Sequence, residues 1–97
     1  MTSANPTKVC VLGMELEEWR HKSCEAHFGV SGDWATLYDI ESKNENQGHA
    51  TELLRMARYF YEFHHKRVMG SIALNSRMKR LYQRVGIPET NYAIAGG

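Results

Sequence analysis

The sequence predicts a mixed α/β (α+β) fold, because two different hydrophobic periods occupy its two halves. Residues 24–40 alternate apolar and polar side chains around a turn, as an antiparallel hairpin does. From residue 50 onward, apolar residues recur at three- to four-residue steps in two stretches, with one strand-like run between them. The 97 residues fit one compact domain, 1–97. The expected order is three strands, a helix, a strand, a helix and a short final strand.

The N-terminal half is expected to supply the first three strands. Residues 1–7 form a loose leader in this interpretation, and residues 9–12 form a short buried strand that ends near Gly13. Residues 14–20 fit either the end of a strand or one helical turn. The hairpin that follows turns at Ser31-Gly32-Asp33, which is typical turn chemistry, and resumes with strand-like composition.

The strongest helix signal is one apolar stripe that follows a polar loop. Its members are spaced three to four residues apart: Ala50, Leu53, Leu54, Ala57, Phe60, Tyr61 and His64. Lys66 and Arg67 close this helix at the negative end of its dipole. Residues 68–73 are apolar on both faces, which predicts a central strand.

A second helix is predicted over residues 76–85. Asn75 is a good N-cap, and the helix carries its own apolar stripe. Gly86 stands where a helix-terminating glycine is expected, and Pro88 prevents continuation. Residues 91–95 predict a last short strand.

Charge is distributed unevenly along the chain, although the formal net charge is only +1. Residues 1–45 carry four basic and eight acidic side chains, and residues 46–97 carry eight basic and three acidic ones. The basic half could face a phosphate-bearing cofactor, nucleic acid or an acidic partner, or could be a set of solvated helix faces.

The two cysteines, Cys10 and Cys24, lie in apolar strand-like runs and are expected to be buried thiols. They have no metal-ligand spacing, so no metal site is expected. No apolar run approaches the roughly 20 residues that cross a bilayer, and the N-terminus lacks a signal-peptide pattern. The expectation is a cytoplasmic protein without membrane association.

The segment Gln47-Gly48-His49-Ala50-Thr51 joins a strand-like run to the first helix. A turn of small residues at the start of a helix presents unpaired backbone N–H groups at the positive end of the dipole. Small residues at 48 and 50 let an anion approach the backbone closely. The segment is therefore a candidate phosphate site.

Two motifs in this order resemble those of the GCN5-related N-acetyltransferase (GNAT) family. The cofactor motif of that family, Gln/Arg-x-x-Gly-x-Gly/Ala, is similar to Glu45-Asn-Gln-Gly48-His-Ala50, which Leu53-Leu54 follows. A second motif, with Asn, Arg, Leu-Tyr and Gly, is similar to Asn75-Ser-Arg77-Met-Lys-Arg-Leu81-Tyr82-Gln-Arg-Val-Gly86-Ile87. The resemblance covers about residues 24–87.

The resemblance implies an N-acetyltransferase that uses acetyl-CoA as cosubstrate. The five residues from Gln47 to Thr51 would hold the pyrophosphate through backbone N–H groups. The exposed backbone near Ile40-Glu41-Ser42 could pair with the pantetheine amides as an added strand would. In the family this strand splays from the next one, here residues 68–73. Asn75 would either cap its helix or contact the cofactor.

The resemblance also assigns catalytic roles. Tyr82 would protonate the CoA thiolate as it leaves, which a phenol of pKa ~10 can do. The acceptor amine must lose a proton, and Asp39 and Glu41 lie on the strand beside the expected acetyl group. His27 and Glu25 lie across the hairpin, and a chain of waters is a further route for the proton.

Two departures from the family pattern open an alternative. Glu45 stands where the family prefers Gln or Arg, and the N-terminal wall of the acceptor site is missing or comes from another subunit, as in a homodimer. The alternative is a GNAT-fold binding or regulatory protein without catalysis. It would act through a basic face on the second helix and through aromatic residues off the core stripe of the first: Arg77, Lys79, Arg80, Arg84, Tyr59 and Phe63. Nucleic acid is an unlikely partner, because only the basic half suggests it.

Overall fold

A computed structural model of the chain describes residues 5–43, 48–71, 73 and 76–89. The elements are β1 (Thr7–Val11), β2 (Met14–His21), β3 (Cys24–Ser31), β4 (Trp34–Ser42), α1 (His49–Phe63), β5 (Arg67–Gly70) and α2 (Ser76–Val85). The described chain is thus a mixed α+β fold with one five-stranded sheet and two helices, which confirms the expected fold class at this level. The strand expected at residues 91–95 lies outside the described residues.

The sheet is an antiparallel meander with one parallel addition. Its strands lie in the order β1-β2-β3-β4-β5, and β5 joins β4 in parallel after α1 crosses over. Tight turns at Leu12-Gly13, Lys22-Ser23 and Gly32-Asp33 join the first four strands, and each contains a residue with positive φ. Residues 14–20 fall in β2, so of the two readings of this segment the strand is right.

The first strand is not buried, contrary to expectation. Val9 is half-buried, and its neighbours Lys8 and Cys10 are exposed. The physical reason is position: β1 pairs with β2 at the end of the strand order, while α1 packs against β2 to β5. The prediction of a buried thiol is therefore wrong for Cys10 and confirmed for Cys24.

The strand expected at residues 68–73 is shorter than predicted and lies at the other end of the strand order. It spans Arg67–Gly70 and pairs with β4. The segment after α2 pairs with the outer edge of this strand. The Gly70 amide donates to the Pro88 carbonyl at 2.8 Å, and Gly70 forms a parallel β-bridge with Glu89. Val68 is buried in the core because α1 packs against β5, although this strand is the last one in the described sheet.

Both helices pack on one face of the sheet, as the predicted apolar stripes require. Leu53, Leu54, Ala57 and Tyr61 of α1 are buried against Trp19, Phe28 and Leu37 of the sheet, and Tyr82 and Val85 of α2 join the same cluster. Alternation along β2, β3 and β4 therefore sends a second set of side chains to the opposite face. Within the described residues, neither helix is long and apolar enough to cross a membrane.

A hydrogen-bond chain ties the core together through Tyr61. The Trp19 indole donates to the Tyr61 hydroxyl at 3.1 Å, and that hydroxyl donates to Glu17 Oε1 at 2.6 Å. Burial, with a further contribution from the Glu17 carboxylate, raises the pKa of Tyr61 far above its ordinary value. The phenol therefore stays neutral and acts as a structural bridge between β2 and α1.

We expect Tyr61→Phe to destabilise the fold, because it leaves the Trp19 donor and the Glu17 acceptor without their shared partner. Leaving such buried groups unsatisfied costs about 1–3 kcal/mol. Urea unfolding monitored by circular dichroism measures this loss. Tyr59→Phe is the matched control, since Tyr59 is 76% exposed and its change should leave the unfolding free energy nearly unchanged. Equal stabilities of the two variants would contradict the bridging role.

Candidate active site

The strands β4 and β5 separate halfway along β4. Their parallel ladder runs from Trp34–Arg67 to Leu37–Gly70, and the Ser71 amide then donates to the Leu37 carbonyl at 3.1 Å. Beyond that point β4 continues to Ser42, and this stretch has no ladder partner on the β5 side among the described residues. Ile40 and Glu41, both predicted to lie near the cofactor, fall in this stretch.

A β-bulge marks the place where the strands separate. Phe28 pairs with Leu37 and His27 with Asp39, so Tyr38 is an extra residue in β4 without a ladder partner. Its ring lies over Gly29, where an added Cβ would come within 2.9 Å of the Tyr38 Cζ. Sequence reasoning missed this feature, although a glycine inside a strand pattern is a signal for close approach.

Tyr82 lies at the same place, on the helix-covered face. The residue is buried, and its ring stacks on the backbone of Gly70, where an added Cβ would lie 2.6 Å from Tyr82 Cε2 and closer still to Cζ. Gly70 is the last residue of β5 paired with β4. The absence of a side chain at Gly70 therefore allows α2 to bring a phenol to the end of the β4–β5 ladder.

The Tyr82 hydroxyl is buried and makes no hydrogen bond with good geometry in the described part of the chain. Burial raises the pKa of Tyr82 and the charge of Glu89 adds to the rise, while the nearby Ser71 hydroxyl opposes it. Buried polar atoms are almost always satisfied in folded proteins, so an orphan hydroxyl requires an explanation. A ligand group at this point would supply one.

The N-terminus of α1 is open, as the sequence predicts. Gly48 is the N-cap residue with φ 75°, and no side chain in the described part of the chain caps the helix with a hydrogen bond. His49, Ala50 and Thr51 follow in the first turn, whose N–H groups have no carbonyl one turn earlier in the helix to receive them. The predicted residues Gln47 and Asn75 lie outside the described residues, as does Glu45.

Two charged side chains lie at the first turn of α1. Arg84 of α2 donates from its guanidinium to the Thr51 hydroxyl at 3.4 Å, which brings a cation to the first turn of α1. Glu52, the acidic residue of that turn, is held by His21 at 2.8 Å and by Lys22 at 3.3 Å. Hydrogen bonds from His21 and Lys22 lower the pKa of Glu52. The negative charge is thus paired with groups of β2 and the β2–β3 turn.

The opposite face of the sheet carries the residues considered as general bases. Asp39 Oδ1 lies 2.8 Å from His27 Nδ1, and Glu18 Oε2 lies 3.2 Å from His27 Nε2. Burial lowers the pKa of His27, but the hydrogen bonds that its ring donates to the Asp39 and Glu18 carboxylates, together with the charges of these carboxylates, outweigh burial and raise the pKa. Glu41 is exposed and is paired in register with Glu25. Of the two predicted bases, Asp39 is therefore engaged with His27.

A groove of about 380 Å³ lies at the far end of the molecule, where both helices end. Trp34, Arg58, Lys66 and Arg67 line it together with other residues, and none of the predicted site residues does. Its cations serve the local structure: Arg58 donates to the Val85 carbonyl at 2.6 Å and Lys66 to the Gly32 carbonyl at 2.8 Å. Cations at helix C-termini offset the negative ends of the dipoles, which accounts for this basic groove.

The candidate site therefore joins the carboxyl end of β4, the last residue of β5, the start of α1 and the buried phenol of α2. These elements come together because α1 starts soon after β4 ends and α2 soon after β5 ends. Crevices outside the carboxyl ends of such strands are common ligand sites. Comparison of the chain with protein-family models, curated proteins and solved structures finds no match.

Proposed function

We propose that this chain is an acetyl-CoA-dependent N-acetyltransferase with a compact GNAT-like fold, which transfers the acetyl group directly to an amine. The observation that carries the proposal is the buried hydroxyl of Tyr82, which has no hydrogen-bond partner among the described residues and lies beside the point where β4 and β5 separate. A buried hydroxyl without a partner costs folding free energy. A leaving thiolate is a group that such a phenol can protonate.

Acetyl-CoA would lie between the start of α1 and the end of the β4–β5 ladder. The N–H groups of His49, Ala50 and Thr51 would hold the pyrophosphate, with the Arg84 guanidinium close by. The pantetheine amides would pair with the free edge of β4 near Ile40. The thioester would then reach the bulge at Tyr38, where the ladder ends.

The chemical step would form one bond and break one bond. The amine nitrogen attacks the thioester carbonyl, the carbon–sulfur bond breaks, and its electron pair stays on sulfur. Tyr82 donates its proton to that thiolate, and the raised pKa keeps the phenol protonated until then. The proton lost by the amine would pass to Asp39 or Glu41 on the sheet face opposite the helices and from there to solvent, and the Tyr82 phenolate would recover a proton from solvent.

Isothermal titration with acetyl-CoA is the direct test, followed by measurement of free CoA in the presence of simple primary amines. The proposal expects one binding site and amine-dependent release of CoA above the rate of thioester hydrolysis. No binding at hundreds of micromolar acetyl-CoA would overturn it.

We expect Gly48→Ala to weaken acetyl-CoA binding about tenfold, equivalent to about 1.4 kcal/mol. The added methyl group meets no atom within 4 Å of its ideal position, but φ is 75° at this residue. A side chain in the left-handed region costs about 1–2 kcal/mol, so the helix start should shift toward other conformations. The methyl group also stands where the phosphate would approach the backbone.

The control for this variant is Gly13→Ala. Gly13 has φ 80° and its added Cβ also meets nothing within 4 Å, but it lies in the β1–β2 turn. It should show a similar loss of stability with unchanged affinity for acetyl-CoA. Equal affinities in the two variants would remove Gly48 from the binding site.

A second candidate function is a binding or regulatory protein without catalysis. Tyr59 and Phe63, one helical turn apart on α1, are 76% and 71% exposed. Large exposed side chains of this kind suit a contact with a partner, including a second copy of the chain. This function would be favoured by a complex with a partner whose affinity does not change when CoA is added, together with no acetyl transfer to any amine.

A further inference from the structure

The sheet face opposite the helices carries a cluster of potential metal ligands from two neighbouring strands. Glu18 of β2 and His27 of β3 are paired in register, and Glu25 precedes His27 by two residues on the same face. The His27 Nε2 atom lies 3.2 Å from Glu18 Oε2 and 3.7 Å from Glu25 Oε1. The three ligand atoms all lie within 4.8 Å of one another.

These separations are those of ligands that share one ion. Zinc bonds of about 2.0–2.1 Å in tetrahedral geometry place neighbouring ligand atoms roughly 3.4 Å apart. Two of the three separations already fall near that value. The third, between the Glu18 and Glu25 carboxylates, is within 4.8 Å, and the Glu25 side chain is 40% exposed and so has room to adjust.

The atoms around the cluster hold two of the ligands in the orientation that a metal needs. Asp39 Oδ1, 2.8 Å from His27 Nδ1, accepts the hydrogen of that nitrogen, so Nε2 is the ring nitrogen that faces Glu18 and Glu25 and that can bind a metal once its own proton is displaced. Arg20 bonds Glu18 through Oε1 at 2.7 Å, which leaves Oε2 facing the imidazole. A carboxylate behind a ligating histidine is the usual outer shell of a protein metal site.

We propose that Glu18, Glu25 and His27 bind a divalent transition-metal ion of the zinc type, with Asp39 as the outer-shell partner of the imidazole. Two ligand carboxylates neutralise the charge of the ion, and Arg20, which lies 2.7 Å from Glu18 Oε1 and 3.8 Å from Glu25 Oε1, adds a cation beside them. Three protein ligands leave at least one position for water or for an added ligand. In the metal-free cluster, a hydrogen bond between His27 and Glu18 takes the place of the ion.

The types of ligand atom also indicate which ion this site prefers. One imidazole with two carboxylates suits zinc and its neighbours in the first transition series, whereas magnesium prefers oxygen ligands and keeps its waters. The metal site lies on the other sheet face from Tyr82 and shares Asp39 with the proposed acetyl transfer, but its occupancy is measured without acetyl-CoA, so the two proposals can fail separately.

Isothermal titration of the full chain with zinc chloride, after removal of metals with EDTA and dialysis at pH 8, tests the proposal. We expect one site in the micromolar range and much weaker binding of magnesium. His27→Gln should lower zinc affinity by at least about 100-fold, and Asp39→Asn should lower it by about 10- to 100-fold. Circular dichroism checks that each variant is folded.

Glu15→Gln and His65→Gln are the matched controls. Glu15 lies on β2 and His65 after α1, and neither belongs to the cluster. Both variants should bind zinc as the parent chain does. Absence of zinc binding in the parent, or loss of binding in His65→Gln with retention in His27→Gln, would overturn the proposal. If His27→Gln does not fold, the visible spectrum of bound cobalt is compared between the parent chain and Asp39→Asn. The two spectra should differ if the nitrogen ligand is the imidazole next to Asp39, and identical spectra would overturn the proposal.

Discussion

Replacing Tyr82 with phenylalanine is expected to lower the turnover of acetyl transfer by about 100-fold or more, the usual range for loss of a general acid. The thiolate of CoA would then leave without a proton from the enzyme. Affinity for acetyl-CoA should change little, because phenylalanine keeps the ring that stacks on Gly70. Stopped-flow detection of free CoA and titration with acetyl-CoA measure the two effects separately.

The stability of Tyr82→Phe provides the control within the same variant. The Tyr82 hydroxyl has no hydrogen-bond partner among the described residues, so its removal leaves no orphaned group and should not lower the free energy of unfolding. Tyr61→Phe, by contrast, removes a hydroxyl with two partners. Unchanged turnover in a stable Tyr82→Phe protein would take the phenol out of the mechanism.

Substituting alanine for Gly70 is expected to destabilise the protein and abolish activity together. The new Cβ would lie 2.6 Å from Tyr82 Cε2, with Cζ closer still, so the ring must leave the strand and α2 must shift. Overpacking of a core costs about 1–3 kcal/mol and occasionally more. Chemical denaturation gives the stability change, and the CoA-release assay gives the activity change.

The double variant Gly70→Ala, Tyr82→Leu tests whether the ring is the cause. If the clash with Tyr82 dominates, removal of the ring recovers part of the stability lost in Gly70→Ala, and the two changes are strongly non-additive. Additive losses would show that Gly70 matters for another reason, such as the conformation of the strand end.

Local patterns were sufficient where one element decides the outcome. The stripe Leu53, Leu54, Ala57 and Tyr61 is buried as expected, because helical spacing alone puts these residues on one side. The hairpin around Gly32-Asp33 likewise follows from alternation and turn chemistry. The helix start at Gly48 could be predicted because it is defined by the residues that form it.

Expectations failed where the position in the sheet decides. The residues of β1 look like a core strand, but the strand lies beyond the cover of α1 and Cys10 is exposed. The strand after α1 looks central, but it is the last strand of the described sheet, where α1 covers its face and the segment after α2 pairs with its outer edge at Gly70. Apolar composition indicates that a strand is covered, but it does not indicate which neighbouring element of the fold covers it.

The sequence by itself therefore determined the fold class, both helices with their buried faces, and the glycine turn that opens α1. Only the tertiary structure decided the bulge at Tyr38, the stacking of Tyr82 on Gly70 and the meeting of Glu18, Glu25 and His27. Each of these depends on the register between strands or on the approach of a helix to a strand. The contacts at these three places are set by pairing between segments that are far apart in the sequence. The sequence of one segment does not show which other segment it pairs with.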